Sequence, residues 1–302
     1  MIESLRTSTR RWWIAAVALT LSGCASSAPR ETPAAASPPD FGAFTLFGVA
    51  GDRFVGIDRR SGVATELASS ADLWEVGALT CDPSSGTFYA VAHAASDPEL
   101  IAIDGASGET RRIGRIDLPT LDLTLVEGLA YDPTDGVLWA TGSRSTFASE
   151  RLLKVDPATG KAEMVGMVRG TAQNDVDALV AIAGKLYGVD VAGSSGAVYE
   201  IDKRTAQASL QPRRFPRPVT DLAFDPGSRR ILATVENDKM LQAMALNGQV
   251  IELGPTHAVA ALGGWPISAV ASVLAATGLF GDGFESGDLS LWNEGEVLPD
   301  DQ

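Results

Sequence analysis

The sequence predicts an all-β chain folded as a β-propeller of five blades, each of four antiparallel strands. Three observations carry that expectation. An apolar run closing on an aspartate turn recurs as Val76-Gly-Ala-Leu-Thr-Cys-Asp-Pro83, Val126-Glu-Gly-Leu-Ala-Tyr-Asp-Pro133 and Val219-Thr-Asp-Leu-Ala-Phe-Asp-Pro226, with a degenerate copy at Val176-Asp-Ala-Leu-Val-Ala-Ile-Ala183. A second run, ending in Asp-x-x-(Thr/Ser)-Gly, recurs as Val55-Gly-Ile-Asp-Arg-Arg-Ser-Gly62, Ile101-Ala-Ile-Asp-Gly-Ala-Ser-Gly108 and Leu153-Lys-Val-Asp-Pro-Ala-Thr-Gly160. Altered copies follow at Tyr199-Glu-Ile-Asp-Lys-Arg-Thr-Ala206 and Ala243-Met-Ala-Leu-Asn-Gly248. The two runs alternate with a period of about 43 to 52 residues, which suits a propeller blade of two hairpins. Thirdly, no apolar spacing of three and four is sustained, and scattered glycines each disfavour helix by about 1 kcal/mol. Almost no helix is expected after residue 24.

Within each unit the apolar runs are four to six residues long, rich in Val, Ile, Leu and aromatics, and bounded by Asp, Pro, Gly and Ser. That is strand and turn chemistry: Pro presets φ in Asp132-Pro133-Thr134-Asp135-Gly136, and Gly takes the positive φ that closes the turn. The first unit lacks an innermost strand, while His257-Ala-Val-Ala-Ala-Leu-Gly-Gly-Trp265 has no partner after it. Pairing that segment with Phe44-Thr-Leu-Phe-Gly-Val49 closes the ring. A sixth blade requires that Pro266–Leu279 form more than one strand. The propeller domain is assigned to residues 41–265 and a C-terminal extension to 266–302.

Residues 1–23 form a signal peptide: Arg6, Arg10 and Arg11 precede the apolar run Trp12–Leu21, and Leu21-Ser22-Gly23-Cys24 follows. The run is too short to span a bilayer. The Ser/Ala/Pro stretch 24–40 has no periodicity and is expected to be a disordered tether. With Cys24 acylated, Cys81 is the one other cysteine, and its register beside Tyr131 and Phe224 in the repeat makes it a core residue.

Charge narrows the partners. The chain has 24 basic and 38 acidic residues; without residues 1–23, which hold three Arg and one Glu, 21 basic face 37 acidic, a net charge of −16. Such a surface repels nucleic acid and anionic headgroups, so membrane attachment is left to the lipid on Cys24. The basic stretch Arg213-Arg214-Phe215-Pro216-Arg217 reads as a solvated loop between blades.

Ligands of propellers gather where the innermost strands converge, and the acidic residues that open the units are the candidates. Glu127 and Asp177 share one repeat position, Asp221 lies one further along, and Glu75 precedes the first full unit. Carboxylates from several blades suit a hard divalent cation such as calcium, which takes several oxygen ligands. Each is equally suited to capping a strand end through backbone hydrogen bonds. Only His93 and His257 are available as imidazole bases, and no Gly-rich phosphate loop, Cys-x-x-Cys or His-Glu-x-x-His occurs. Exposed aromatics that would favour a carbohydrate ligand are limited to Trp74, Phe147 and Trp265.

Five resemblances add to this reading. Leu21-Ser-Gly-Cys24 resembles the bacterial lipobox, which implies cleavage before Cys24, its acylation with palmitate and anchoring of the mature protein in the cell envelope. In that family an aspartate after the cysteine favours inner-membrane retention; Ala25 stands here, which implies the outer membrane. Thr9-Arg10-Arg11-Trp12-Trp13 resembles a twin-arginine export signal as well as an ordinary one. The segment Gly283-Phe-Glu-Ser-Gly-Asp-Leu-Ser-Leu-Trp292 resembles one that ends many exported bacterial proteins. The repeats resemble the YVTN and WD-repeat-like bacterial propellers over about three quarters of the chain. Val126-Glu-Gly-Leu-Ala-Tyr-Asp132 is similar to the metal-binding Glu-Gly-Pro-x-Trp segment of lactonase-type propellers, with the proline missing.

The expectation is therefore an anchored, non-catalytic module that binds an envelope protein or polysaccharide. The alternative is a metal-dependent lactonase-like hydrolase or lyase with Glu127, Asp177 and Asp221 as ligands.

Overall fold

The computed structural model describes residues 46–272, apart from 59–62, 119–121, 146–148, 174, 193, 227, 236–239, 246–247 and 256–266. Cys24, the 24–40 tether, His257–Trp265 and the 273–302 segment lie outside the described residues. Among the described residues twenty strands form five four-stranded antiparallel sheets, so the fold is a five-bladed β-propeller. Among the described residues the sole helical element is a 3₁₀ turn, Ala71–Leu73, capped by Ser70.

Blade 1 contains β1 (Leu46–Ala50), β2 (Arg53–Ile57) and β3 (Ala64–Ser69). Blade 2 contains β4 (Ala78–Asp82), β5 (Thr87–Ala92), β6 (Glu99–Asp104) and β7 (Thr110–Arg115). Blade 3 contains β8 (Leu125–Asp132), β9 (Val137–Ser143), β10 (Arg151–Val155) and β11 (Ala162–Met167). Blade 4 contains β12 (Ala178–Ile182), β13 (Lys185–Ala192), β14 (Ser195–Ile201) and β15 (Ala208–Phe215). Blade 5 contains β16 (Val219–Asp225), β17 (Arg230–Val235), β18 (Met240–Ala245) and β19 (Val250–Pro255). The last strand, β20 (Ala269–Ser272), returns to blade 1 and becomes its innermost strand.

The ring closes as expected in kind, but with a different strand. The partner of β1 is Ala269–Ser272, with Leu46 opposite Ser272 and Val49 opposite Ala269, rather than His257–Trp265. Its residues fit that place: Ala269, Val270 and Ala271 are buried, and small side chains suit the crowded middle of the ring. Backbone approach is close there, since a Cβ on Gly48 would stand 2.9 Å from Ile267 Cγ2.

Each junction between blades holds one apolar cluster. Phe47, Phe54 and Phe88 pack between blades 1 and 2 with ring centroids 4.8–5.6 Å apart, while Trp139, Leu152, Leu179 and Leu186 fill the junction of blades 3 and 4. Neighbouring blades thus supply the second face that each sheet needs for burial. Cys81 sits in the first of these clusters as its register implies, and burial pushes its thiol up, away from nucleophilic use. Outermost strands keep one unpaired edge each, blunted by arginines in Thr110–Arg115 and by Pro212 in β15.

The aspartate turns do what their composition predicts. Asp104 Oδ1 accepts from the backbone N–H groups of Ala106 and Ser107 at 3.1 and 2.7 Å, and Gly108 takes a φ of 71°. Asp202 repeats the arrangement with Arg204 and Thr205, but the position of Gly is held by Ala206 at a φ of 59°. These turns join the third strand to the fourth. Asp82 and Asp132 fold the turn between first and second strands, accepting from Ser84 N–H and Thr134 N–H at 2.9 Å.

Candidate functional site

Antiparallel blades place the start of the first strand, the end of the second and the start of the third at one end of the ring. The carboxylates of blades 3 and 4 meet at that end. Glu127 lies near the start of β8, Glu150 just before β10, Asp177 just before β12 and Asp190 near the end of β13. Asp175 joins them from the loop between β11 and β12. One oxygen from each of Glu127, Asp175 and Asp177 lies within 4.8 Å of the others, and all three residues are half-buried.

Local structure explains the convergence. In β8, Val126 pairs with Gly142 and Gly128 with Thr141, which leaves Glu127 as the extra residue of a β-bulge. Bulges turn a side chain out of the ladder and often occur beside sites. Across the junction, Asp175-Val176-Asp177 leads into β12 with a bend at Asp177; the valine is buried while both aspartates stay half-buried. Val176 is fully buried and held from both directions. Its N–H donates to Glu150 Oε2 at 2.7 Å, and its carbonyl accepts from Thr141 Oγ1 at 3.1 Å. Asp177 Oδ2 accepts from Val191 N–H at 2.7 Å, while the Asp177 N–H donates to the Val189 carbonyl. Asp190 Oδ2 holds the loop by accepting from Gln173 N–H at 2.9 Å, and Asp175 N–H donates to Thr171 Oγ1.

The electrostatics are one-sided. Among the described residues, Glu150, Asp175, Asp177 and Asp190 form no ion pair with Lys, Arg or His. Glu150 and Asp190 are fully buried, yet among the described residues Glu150 Oε1 and Asp190 Oδ1 have no hydrogen-bond partner. Burial, reinforced by Asp175 and Glu127, pushes the Glu150 carboxyl well above its ordinary value. Burial likewise raises Asp177, to about 7, with Asp175 and Asp190 adding to it. Asp175 is raised by burial and by Asp190. Low dielectric and like charge act together here.

Asp221 does not join this group. It follows a bulge at Thr220 in β16, and one residue along a strand reverses the side chain's direction. Its carboxylate is fully buried at the middle of the ring, where Oδ2 accepts from Val270 N–H at 2.9 Å and Leu79 N–H at 3.1 Å. The middle of the ring therefore carries a strut between blades 5, 1 and 2. The acidic cluster lies to one side, between blades 3 and 4. Of the three residues singled out by the repeat, the structure brings two together.

Asp175, Glu150 and Asp190 escaped the repeat-based reading. Asp175 carried a signal, because it opens an Asp-Val-Asp run whose second aspartate holds the repeat position. Glu150 and Asp190 carried none, since they come from second and third strands at positions without counterparts in other blades.

A second feature occupies the same end of the ring, on blade 2. Glu75 and His93 both adopt left-handed backbone, with φ of 56° and 50°, and His93 Nδ1 stands 3.9 Å from Glu75 Oε2. Strained non-glycine residues of this kind concentrate at functional surfaces. Adjacent Trp74 is 41% exposed. Phe147, Trp265 and His257 lie outside the described residues.

Comparison with known proteins extends the fold assignment. No family model and no curated protein matches the chain. Among solved structures, a chain of the nidogen/laminin complex superposes with a TM-score of 0.52 at 12% identity, over 76% of this chain and 98% of that one. TolB from Acinetobacter baumannii gives 0.45 at 14% identity, over 72% and 54%. Streptogramin B lyase gives 0.37 at 14% identity, over 62% and 57%, so this chain spans about half the length of the latter two. The chain is a five-bladed member of the propeller class; its function rests on its own residues.

Proposed function

We propose that this chain is an exported lipoprotein, held through acylated Cys24 and tethered by residues 24–40, whose propeller is a non-catalytic docking module for an envelope protein or polysaccharide. One observation carries the docking reading. The end of the ring that bears the acidic junction also presents Trp74 beside strained Glu75 and His93, so an exposed aromatic and a dense set of acceptors share one surface. Aromatic anchors with polar surroundings are the usual makings of an interface. A cationic protein segment suits the charge, and hydroxyl-rich polymer suits the acceptors. The lipobox supports the anchor, and Ala25 after the cysteine supports the outer membrane.

The test has two parts. Globomycin should leave a larger precursor, and Cys24→Ser should release the protein from membranes; unchanged size and retained attachment would sink the anchor. A photo-crosslinking residue at Trp74 should give adducts in cells, whereas one at exposed Ser85 on the opposite turns should not. Equal labelling from both positions, or none, would end the docking reading.

The lactonase-type alternative draws on one observation: ligand oxygens of Glu127 and Asp177, two of its three expected ligands, lie within 4.8 Å of each other, although Asp221 stands apart. Turnover of simple lactones by the metal-loaded protein, lost in Asp177→Asn, is its test.

A further inference from the structure

Cys81 is inert by burial, Asp221 is committed to two backbone amides, and Arg112 and Arg115 are spent on Asp72, Glu99 and Asp97. The junction of blades 3 and 4 remains unexplained. Five carboxylates crowd into it, and two of their oxygens are buried without a partner.

We propose that Glu127, Asp175 and Asp177 bind one hard divalent cation of the calcium class between blades 3 and 4, backed by the buried carboxylate of Glu150. The ligand oxygens of the three half-buried residues lie within 4.8 Å of one another. That is no wider than the span of two oxygens on opposite sides of one calcium ion at roughly 2.4 Å from each. All the side-chain donors are carboxylate oxygens, which suits a hard cation and offers nothing to one that prefers sulfur or imidazole.

The independent indication comes from behind the cluster. Glu150 is fully buried, its Oε2 is held by the N–H of Val176 between the two aspartates, and its Oε1 has no partner among the described residues. Asp175 and Glu127 are the charges that act on it most strongly. Asp190, also fully buried with one unpartnered oxygen, acts in turn on Asp175 and Asp177. An uncompensated buried carboxylate is costly, and polar groups left without partners call for a missing proton or ion. A divalent ion at the mouth answers both demands at once, because it neutralises the half-buried ligands and the carboxylates behind them.

The loop geometry suits this role. Val176 is gripped from blade 3 through Glu150 and Thr141, whereas Asp177 and Gln173 are fastened to β13 of blade 4. A cation shared by Glu127 of blade 3 and the two aspartates would join the blades a second time and stiffen this end of the ring. The inference stands apart from the docking reading: a protein that binds calcium and captures no partner leaves it intact, as adducts in a calcium-free cell envelope would leave docking intact.

The test is calorimetric titration of the chelator-treated full chain, in detergent, with calcium chloride, alongside thermal melts with and without 5-fold excess ion over the site's dissociation constant. Wild type is expected to bind one ion, with a dissociation constant of about 10⁻⁴ M, as in exported calcium modules, and to melt higher when loaded. Asp175→Asn and Glu127→Gln should each weaken binding at least tenfold and lose the melting shift. Asp221→Asn, outside the cluster, should bind like wild type. Circular dichroism checks that each variant is folded; if Asp175→Asn is not, Glu127→Gln decides. No heat and no melting shift at millimolar calcium would overturn the site, as would binding that survives in the folded Asp175 or Glu127 variants.

Discussion

Asp221 Oδ2 accepts a hydrogen bond from the Val270 N–H at 2.9 Å, so a side chain of blade 5 holds the strand that closes blade 1. The same oxygen accepts from Leu79 N–H of blade 2 at 3.1 Å. Both donors are buried, and truncating Asp221 would leave two amides without partners, at about 1–3 kcal/mol each. Asp221→Ala is therefore expected to lower stability by about 2–6 kcal/mol. Asp221→Asn, which keeps an oxygen acceptor, should lose much less. Urea midpoints of the three proteins measure this, and an alanine variant as stable as wild type would refute the strut.

Stability should fall on both sides of a weakly acidic optimum, for opposite reasons. Burial raises the Asp221 carboxyl well above 3.8, so the folded protein keeps a proton that the unfolded chain releases as pH rises through about 3.8. Stability from this group is therefore lost as pH rises from there towards the raised folded value. The turn aspartates act the other way. Asp104 and Asp156 are lowered by the hydroxyls of Ser107 and Thr159, and Asp202 by the backbone of Arg204 and by Thr205. Their stabilisation is present above 3.8 and is lost as pH falls through their lower folded values. Urea midpoints across roughly pH 2.5 to 8, with chelator present, should peak near 4, and Asp221→Asn should make only the limb above it shallower, the rest of that limb belonging to Glu150, Asp175 and Asp177, which burial also raises. A flattened acid limb in that variant would show that the assignment is wrong.

The fold was largely legible because propeller blades repeat their chemistry. Asp104, Asp156 and Asp202 stand in equivalent turns and make equivalent hydrogen bonds, so one motif read several times fixes strand order and period. Ring closure was legible only in kind. His257–Trp265 and Ala269–Ser272 are both short, apolar and alanine-rich, and no local signal ranks one above the other. Two of the five carboxylates of the site were legible for the same reason as the fold: Glu127 and Asp177 occupy one repeat position. Its remainder depends on which side chains a bulge at Glu127 turns outward, and on Glu150 and Asp190 from strands with no repeated acidic position. Such contacts between blades have no sequence period.

Closing the ring through β20 should be essential to it. Ile267, Ala269, Val270 and Ala271 are buried, and β1 pairs with β20 along one side, so a chain ending at residue 266 exposes both an apolar surface and the edge of β1. Unpaired inner strands invite association with other chains. The truncated protein is expected to melt at least 10 °C lower or to elute as aggregates, given that about 1 kcal/mol moves the midpoint by roughly 2–4 °C in a chain of this size. Light scattering and a thermal melt suffice, and a monomer with an unchanged midpoint would mean that closure is not what holds the ring.

Two glycines with almost the same backbone separate conformational strain from contact between blades. Gly86 has a φ of 69° and open space around the position of an added Cβ, whereas Gly160 has a φ of 76° and its added Cβ would lie 2.8 Å from Gly114 O and 3.0 Å from Arg115 O. Both turns follow an aspartate, and both glycines donate their N–H to that aspartate's carbonyl, Asp82 and Asp156. Gly86→Ala thus carries only the left-handed penalty, about 1–2 kcal/mol. Gly160→Ala adds a clash with the backbone of blade 2, which side-chain rotation cannot relieve because backbone atoms stand on the far side. The parallel bridge between Asp117 and Lys161 lies next to that contact and would have to move with it. Gly160→Ala is expected to cost at least about 1–3 kcal/mol more than Gly86→Ala, the usual range for overpacking. Equal losses in denaturant melts would show that blades 2 and 3 do not approach closely at this turn.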